Sequence, residues 1–153
     1  MVRKSIHNRV FFEEIISRIS GLSEDSPAIW GKMNVCQMLR HCDLVLQIAL
    51  NKTEIPDVHF FLRWIGIFTK KEMYIFNNGI PRNMPTFRKV IVNFEYNFND
   101  AQSGLIKTLN EYWTAFETNQ LPDSHVLFGK MTQKDWGFLE YKHLNHHLNQ
   151  FSV

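Results

Sequence analysis

Trp136, Leu139, His143, His147 and Gln150 follow one another at steps of three, four, four and three residues, the spacing of a single helical face. A chain that closes on such a helix must fold so that this face is covered. Two of the positions that a core would fill with leucine hold imidazole instead. Burying a neutral imidazole with no partner costs about 1–3 kcal/mol per unsatisfied nitrogen. Side chains four residues apart on one face converge, so the pair can grip one divalent ion.

Three further amphipathic segments precede this one. The first runs from about Ile6 to Ile19, with Phe11/Phe12, Ile15/Ile16 and Ile19 inward, and stops near Gly21. The second follows Trp30-Gly-Lys-Met, takes Asn34 as its N-cap and runs through Ala49. Its stripe is Met38, His41, Val45 and Ile48. The third begins near Asp100 and carries Leu105, Leu109, Tyr112 and Phe116. Thr132-Gln-Lys-Asp135 has capping-box form and opens the last helix, which continues to about Gln150.

This pattern implies an all-α fold in one domain covering residues 1–153. Between the second and third helices lie Pro56, an apolar segment at Phe60–Phe68, Asn77-Asn-Gly-Ile-Pro81 and Pro85, with no comparable periodicity. Alternation from Lys89 to Tyr96 suits a strand, but a single strand has no partner. A connection this long is a crossover, so the helices it joins need not be antiparallel neighbours.

Composition narrows the function classes. Hydrophobic residues at 44% and charged residues at 21% are ordinary for a soluble globular domain. The net charge of +2, without a basic stripe interleaved with exposed aromatics, gives no support for nucleic-acid binding. Met1-Val-Arg-Lys-Ser-Ile-His leads straight into an amphipathic pattern, with no signal-peptide core. Val58–Phe68 is too short to span a bilayer and contains Arg63. Cys36 and Cys42 point to different faces of one helix, which suits unpaired thiols in a reducing cytoplasm. Phe60, Phe61, Trp64 and Phe68 are expected to pack against the helices; the alternative is a membrane surface or a partner protein.

His41, inward on the second helix, is the candidate third ligand. Three neutral nitrogen ligands leave positions for water or substrate, the arrangement of a reactive metal site. The competing reading for each histidine is a hydrogen-bonded core residue or a solvated helix face. His146 lies off the stripe, at a rim or an interface. His125, after Pro122-Asp-Ser, either reaches the mouth of the site or bonds its own loop backbone. His7 and His59 read as surface residues.

Trp30-Gly-Lys-Met-Asn-Val-Cys-Gln-Met-Leu-Arg-His41, together with His125-Val-Leu-Phe-Gly-Lys-Met-Thr and Trp136 through His143-Leu-Asn-His-His147-Leu-Asn-Gln-Phe151, resembles the DinB/YfiT-like superfamily of metal-binding four-helix bundles, and most closely its uncharacterised DinB-like subgroup. The resemblance implies an up-down-down-up four-helix bundle with a long crossover between helices two and three. It implies His41, His143 and His147 as ligands of zinc or nickel. It also implies activities such as thiol-dependent transfer or isomerisation with bacillithiol or mycothiol, or hydrolysis, often in homodimers.

One departure bears on chemistry. Leu144 stands where many members carry Glu, which also removes a His-Glu-x-x-His general base. No catalytic residue is assigned; Asp43, His125, His146 and Tyr141 are the candidates for moving protons. Gln150 either hydrogen-bonds a bound water or ligand or simply ends the stripe. Lys70, Lys71, Arg82, Arg88 and Lys89 either attract an anionic low-molecular-weight thiol or serve as surface charge. Two functions are expected in competition: a metal-dependent transferase or hydrolase acting on a small molecule, and a non-catalytic, stress-associated, dimeric metal-binding module.

Overall fold

The computed structural model describes residues 3–82 and 84–153; Met1 and Val2, at the head of the segment read for a signal peptide, lie outside the described residues. Among the described residues the chain forms five α-helices: α1 (Arg9–Ser20), α2 (Val35–Ala49), α3 (Phe60–Phe76), α4 (Phe98–Glu117) and α5 (Gln133–Gln150). A 3-10 turn at Arg88–Val90 and a two-residue antiparallel hairpin, β1 (Ser124–His125) with β2 (Gly129–Lys130), complete the regular structure. The class is all-α, and no helix among the described residues is long and apolar enough to cross a membrane.

Side-chain caps set the helix starts. Asn8, Asn34, Asn97 and Thr132 each accept a hydrogen bond from a first-turn backbone N–H, worth about 1 kcal/mol apiece. Asn34 with Gln37 and Thr132 with Asp135 close reciprocal capping boxes. The Asn8 cap also explains why α1 begins after Ile6. Ile6 is fully buried, yet it sits in the segment before the helix, its N–H donating to the Gly137 carbonyl at 3.0 Å. That close approach needs glycine: a Cβ at Gly137 would lie 2.3 Å from Ser5 Oγ and 2.6 Å from the His7 ring. His7 is correspondingly not a surface residue. It stacks on Phe116 at 3.7 Å between ring centres and meets the Tyr112 hydroxyl at 2.9 Å.

One core joins α1, α2, α4 and α5, with Phe12, Ile15, Leu39, Leu46, Leu109 and Leu144 among its members. On α2 the packed seam is Val35, Leu39, Cys42, Leu46 and Ala49, with Met38 and His41 alongside, while Val45 and Ile48 are only half-buried. α5 is buried on nearly every side from Trp136 to Tyr141. Cys36 and Cys42 are free and buried.

The crossover departs from expectation. It contains a 17-residue helix, α3, of which only Gly66 and Met73 are buried. Phe60, Phe61, Trp64 and Phe68 do not pack inward; they are 62–71% exposed. The first half of α3 is apolar on almost every side, so periodicity could not identify the inner face. Gly66 does so instead. A Cβ there would fall 2.4 Å from the Leu127 carbonyl oxygen, and this contact seats the helix against the hairpin loop. Lys70, one turn on, donates to the Lys130 carbonyl. The alternating run from Lys89 to Tyr96 forms no strand; it begins in the 3-10 turn and buries Val90 and Val92.

Candidate metal centre

α2 and α5 bring three histidines together. His41, His143 and His147 each offer a ring nitrogen, and these atoms lie within 4.8 Å of one another. The ring centres are 5.2 Å (His41–His143), 4.8 Å (His41–His147) and 4.7 Å (His143–His147) apart. His41 and His147 are buried and His143 is nearly so.

Backbone and amide groups fix which nitrogens face inward. His41 Nδ1 lies 2.7 Å from the Val90 carbonyl oxygen, which can only accept, so Nδ1 carries the proton and Nε2 is bare. His147 Nδ1 lies 3.1 Å from Gln150 Oε1. The Gln150 amide is oriented in turn, because its Nε2 donates to the Trp30 carbonyl at 2.7 Å. His147 therefore also presents a bare Nε2. The Trp30 loop is held against α5 by the Ile29 N–H, which donates to the Gln150 carbonyl at 2.8 Å. Gly31 adopts φ +82°, and a Cβ on it would collide with the Gln150 amide.

His41 Nε2 and His143 Nε2 are 3.2 Å apart. Two nitrogens bound at about 2.0–2.1 Å to one tetrahedral ion stand about 3.3 Å apart, so the spacing fits shared ligation. Without an ion, the bare Nε2 of His41 can only accept, so His143 donates its Nε2 proton to it; as the side chains stand, the buried Nδ1 of His143 has no protein partner whether Nε2 holds a proton or an ion. Burial lowers the pKa of all three rings and neighbouring histidines add to the effect, while the Val90 carbonyl opposes it at His41 and Gln150 opposes it at His147, which is still pushed down to about 3. Neutral imidazole is the ligating form.

The other candidates fall into separate surroundings. His146 is half-buried on the rim, edge-on to His147 at 5.0 Å and to Trp30 at 6.0 Å between ring centres. Arg82 lies 4.0 Å over the Trp30 ring, which puts this one crossover cation beside the rim. Lys70 and Lys89 bond the carbonyls of Lys130 and Glu54 instead. Asp43 is buried and fully engaged by Arg40, Gln47 and, at 2.6 Å, the Thr108 hydroxyl. Tyr141 faces α1, its hydroxyl 3.4 Å from Glu14. His125 Nδ1 accepts from the backbone N–H groups of Leu127 and Phe128 at 3.1 and 3.3 Å, holding the hairpin loop. Leu144 is a core residue.

Sequence reasoning missed the groups behind the ligands. The Val90 and Trp30 carbonyls carry no side-chain signal, since any residue supplies a carbonyl. Glu140 was also missed. It is buried on α5, one Oε without a partner, and burial raises its pKa to about 8. A lone acid among apolar neighbours was its only mark.

No curated protein and no solved structure matches the chain. A family model described as a protein of unknown function, DUF1569, matches residues 11–153, a span that includes all three histidines and Gln150, and the chain belongs to that family.

Proposed function

We infer that this protein is a metal-dependent enzyme built on a mononuclear three-histidine centre, with His41, His143 and His147 as the ligands. The observation that carries the reading is the convergence of these rings, two of them with Nδ1 held by an acceptor and Nε2 bare. The residue motifs resemble the DinB-like group, and with that resemblance α1, α2, α4 and α5 form its up-down-down-up bundle, zinc or nickel is the metal, and a low-molecular-weight thiol or water is the nucleophile.

A divalent ion held by three neutral imidazoles keeps its positive charge and open positions, at which a thiol or water becomes acidic near neutral pH. The chain's own residues supply orientation. Val90 fixes the His41 ring, and the Gln150–Trp30 relay fixes His147. His146, half-buried on the rim, is the group best placed to pass a proton to or from a small-molecule substrate. Asp43, Tyr141 and His125 are committed elsewhere and are not assigned that role.

That shortage of free acid–base groups favours one competing reading, a metal-binding module without turnover. Cobalt(II) substitution separates the two. The catalytic reading expects a visible spectrum that shifts when a thiol is added, together with thiol transfer to an electrophile or hydrolysis, both lost in a folded His143→Ala variant. A cobalt spectrum indifferent to thiol, azide and pH marks a site with no exchangeable position and supports the module. Protein purified without nickel chromatography that contains no metal and takes up none defeats both.

A further inference from the structure

Two of the three candidate ligands have a group behind them, and the third does not. His41 Nδ1 has the Val90 carbonyl and His147 Nδ1 has Gln150 Oε1. His143 Nδ1 is buried with no partner. Once an ion takes Nε2, the neutral ring carries its proton on Nδ1, and that buried N–H needs an acceptor. Metal-ligating histidines almost always donate this proton to a carboxylate, a backbone carbonyl or a water.

A second orphan lies one turn away. Glu140 Oε2 is also buried without a partner. Glu140, His143 and His147 follow one another at steps of three and four residues, which puts them on one face of α5. Side chains three residues apart on a helix are neighbours, close enough to hydrogen-bond. Polar groups on the facing helices are already engaged. The carboxyl is within electrostatic reach of Cys42 on α2 and Tyr112 on α4. The Cys42 thiol, however, donates to the Met38 sulfur at 3.8 Å, and the Tyr112 hydroxyl meets His7 Nε2 at 2.9 Å. Glu140 also stands outside the group of donor atoms that lie within 4.8 Å of one another, so it backs the site rather than joining it.

We propose that Glu140 is the positioning residue of His143, its carboxyl turning to accept a hydrogen bond from Nδ1–H when Nε2 holds the metal. The two orphaned atoms then satisfy each other. An acid buried without a partner weakens the metal-free fold, and the loaded site is where it finds one. The inference rests on the three-histidine metal reading and supplies the one support that reading leaves missing.

Competition with a chromophoric chelator for zinc, beside urea unfolding in EDTA, tests it in the wild type, Glu140→Gln and Glu140→Leu. Removing the carboxylate behind a metal-bound histidine weakens metal binding about 10–100-fold. Glu140→Leu is expected to lose that much affinity while its metal-free fold is at least as stable as the wild type, because an apolar side chain replaces an unpartnered acid. A merely structural residue would move stability and affinity together. Glu140→Gln keeps an acceptor oxygen without the charge, and its affinity is expected to lie between. In zinc-loaded protein with 15N-labelled histidine, the His143 Nδ1–H resonance is expected furthest downfield in the wild type, then in Glu140→Gln, then in Glu140→Leu, the order of acceptor strength. Zinc affinity in Glu140→Leu equal to the wild type, or a resonance indifferent to the substitution, overturns the proposal and leaves the metal reading standing. If Glu140→Leu does not fold, Glu140→Gln decides alone: affinity and resonance both equal to the wild type overturn the proposal. A wild type that takes up no zinc, nickel or cobalt overturns both.

Discussion

Gln150 braces the candidate metal centre from behind: its amide accepts from His147 Nδ1 and donates to the Trp30 carbonyl, so one side chain sets the tautomer of a candidate ligand and anchors the rim loop. Removing such a support typically weakens metal affinity about 10–100-fold. Gln150→Ala is expected to do so in competition titrations with a chromophoric chelator, whereas Gln150→Glu, which keeps the acceptor for His147 but loses the donor to Trp30, is expected to fall between the wild type and Gln150→Ala. Equal affinity in all three proteins would mean that packing alone orients His147. A second residue-scale effect comes from Glu140, whose buried carboxyl stays protonated up to about pH 8. In the unfolded chain it ionises near 4.5, so the folded state holds the extra proton and stability falls as pH rises towards 8. Half-buried His7 and His125, lowered to about 4 from 6.5, act in the opposite sense, but only below about pH 6.5. The window from 6.5 to 8 therefore belongs to Glu140. Urea unfolding in EDTA is expected to show wild-type stability declining there by about 1–2 kcal/mol, and Glu140→Gln staying level. The clustered histidines were legible because a helical stripe puts type and spacing on display. Their supports were not, because two are backbone carbonyls and Gln150 had an equally good reading as the end of the stripe.

At the scale of elements, the helices with a polar face and a side-chain cap were readable and the others were not. Asn34 announced α2 as an N-cap and Thr132 announced α5 through its capping box, and the observed starts fall one residue after each. α1 was read from Ile6 because that residue is as buried as the helix's own inward stripe, although it reaches the core from an irregular segment through Gly137. α3 escaped for a different reason. Amphipathic periodicity reports the contrast between a wet face and a dry one, and the first half of α3 has almost none. What decides its orientation is a missing side chain at Gly66, an absence that hydrophobic patterning cannot register. The same lack of contrast is itself informative once the inner face is known. A helix that is apolar on both its packed and its exposed sides has been left with a second surface to cover.

Across the whole molecule, the three candidate ligands come from two helices, and their positions in the packing decide what a bound metal would do to stability. α2 packs mainly on α4 and much less on α5, so an ion bound by His41, His143 and His147 ties together elements with modest direct contact. Through Val90 it also fastens the 3-10 turn of the crossover to α2. An ion that binds only the folded chain stabilises it by about 2.7 kcal/mol when present at 100 times its Kd. For a domain near 150 residues each kcal/mol moves the melting temperature by about 2–4 °C, so zinc or nickel is expected to raise it by about 5–10 °C over the EDTA-treated protein. His143→Ala is expected to melt at one temperature with or without metal. Its gain should be nil because two imidazoles bind far more weakly than three, while the site's own neighbours, His146 and Gln150, stay in place. Calorimetry of the two proteins with zinc, with nickel and with EDTA gives the answer directly. Coincident melting curves for the wild type in all three would show that the histidines are held neutral by the core alone, and that the 3.2 Å Nε2 contact is a hydrogen bond rather than the edge of a coordination sphere.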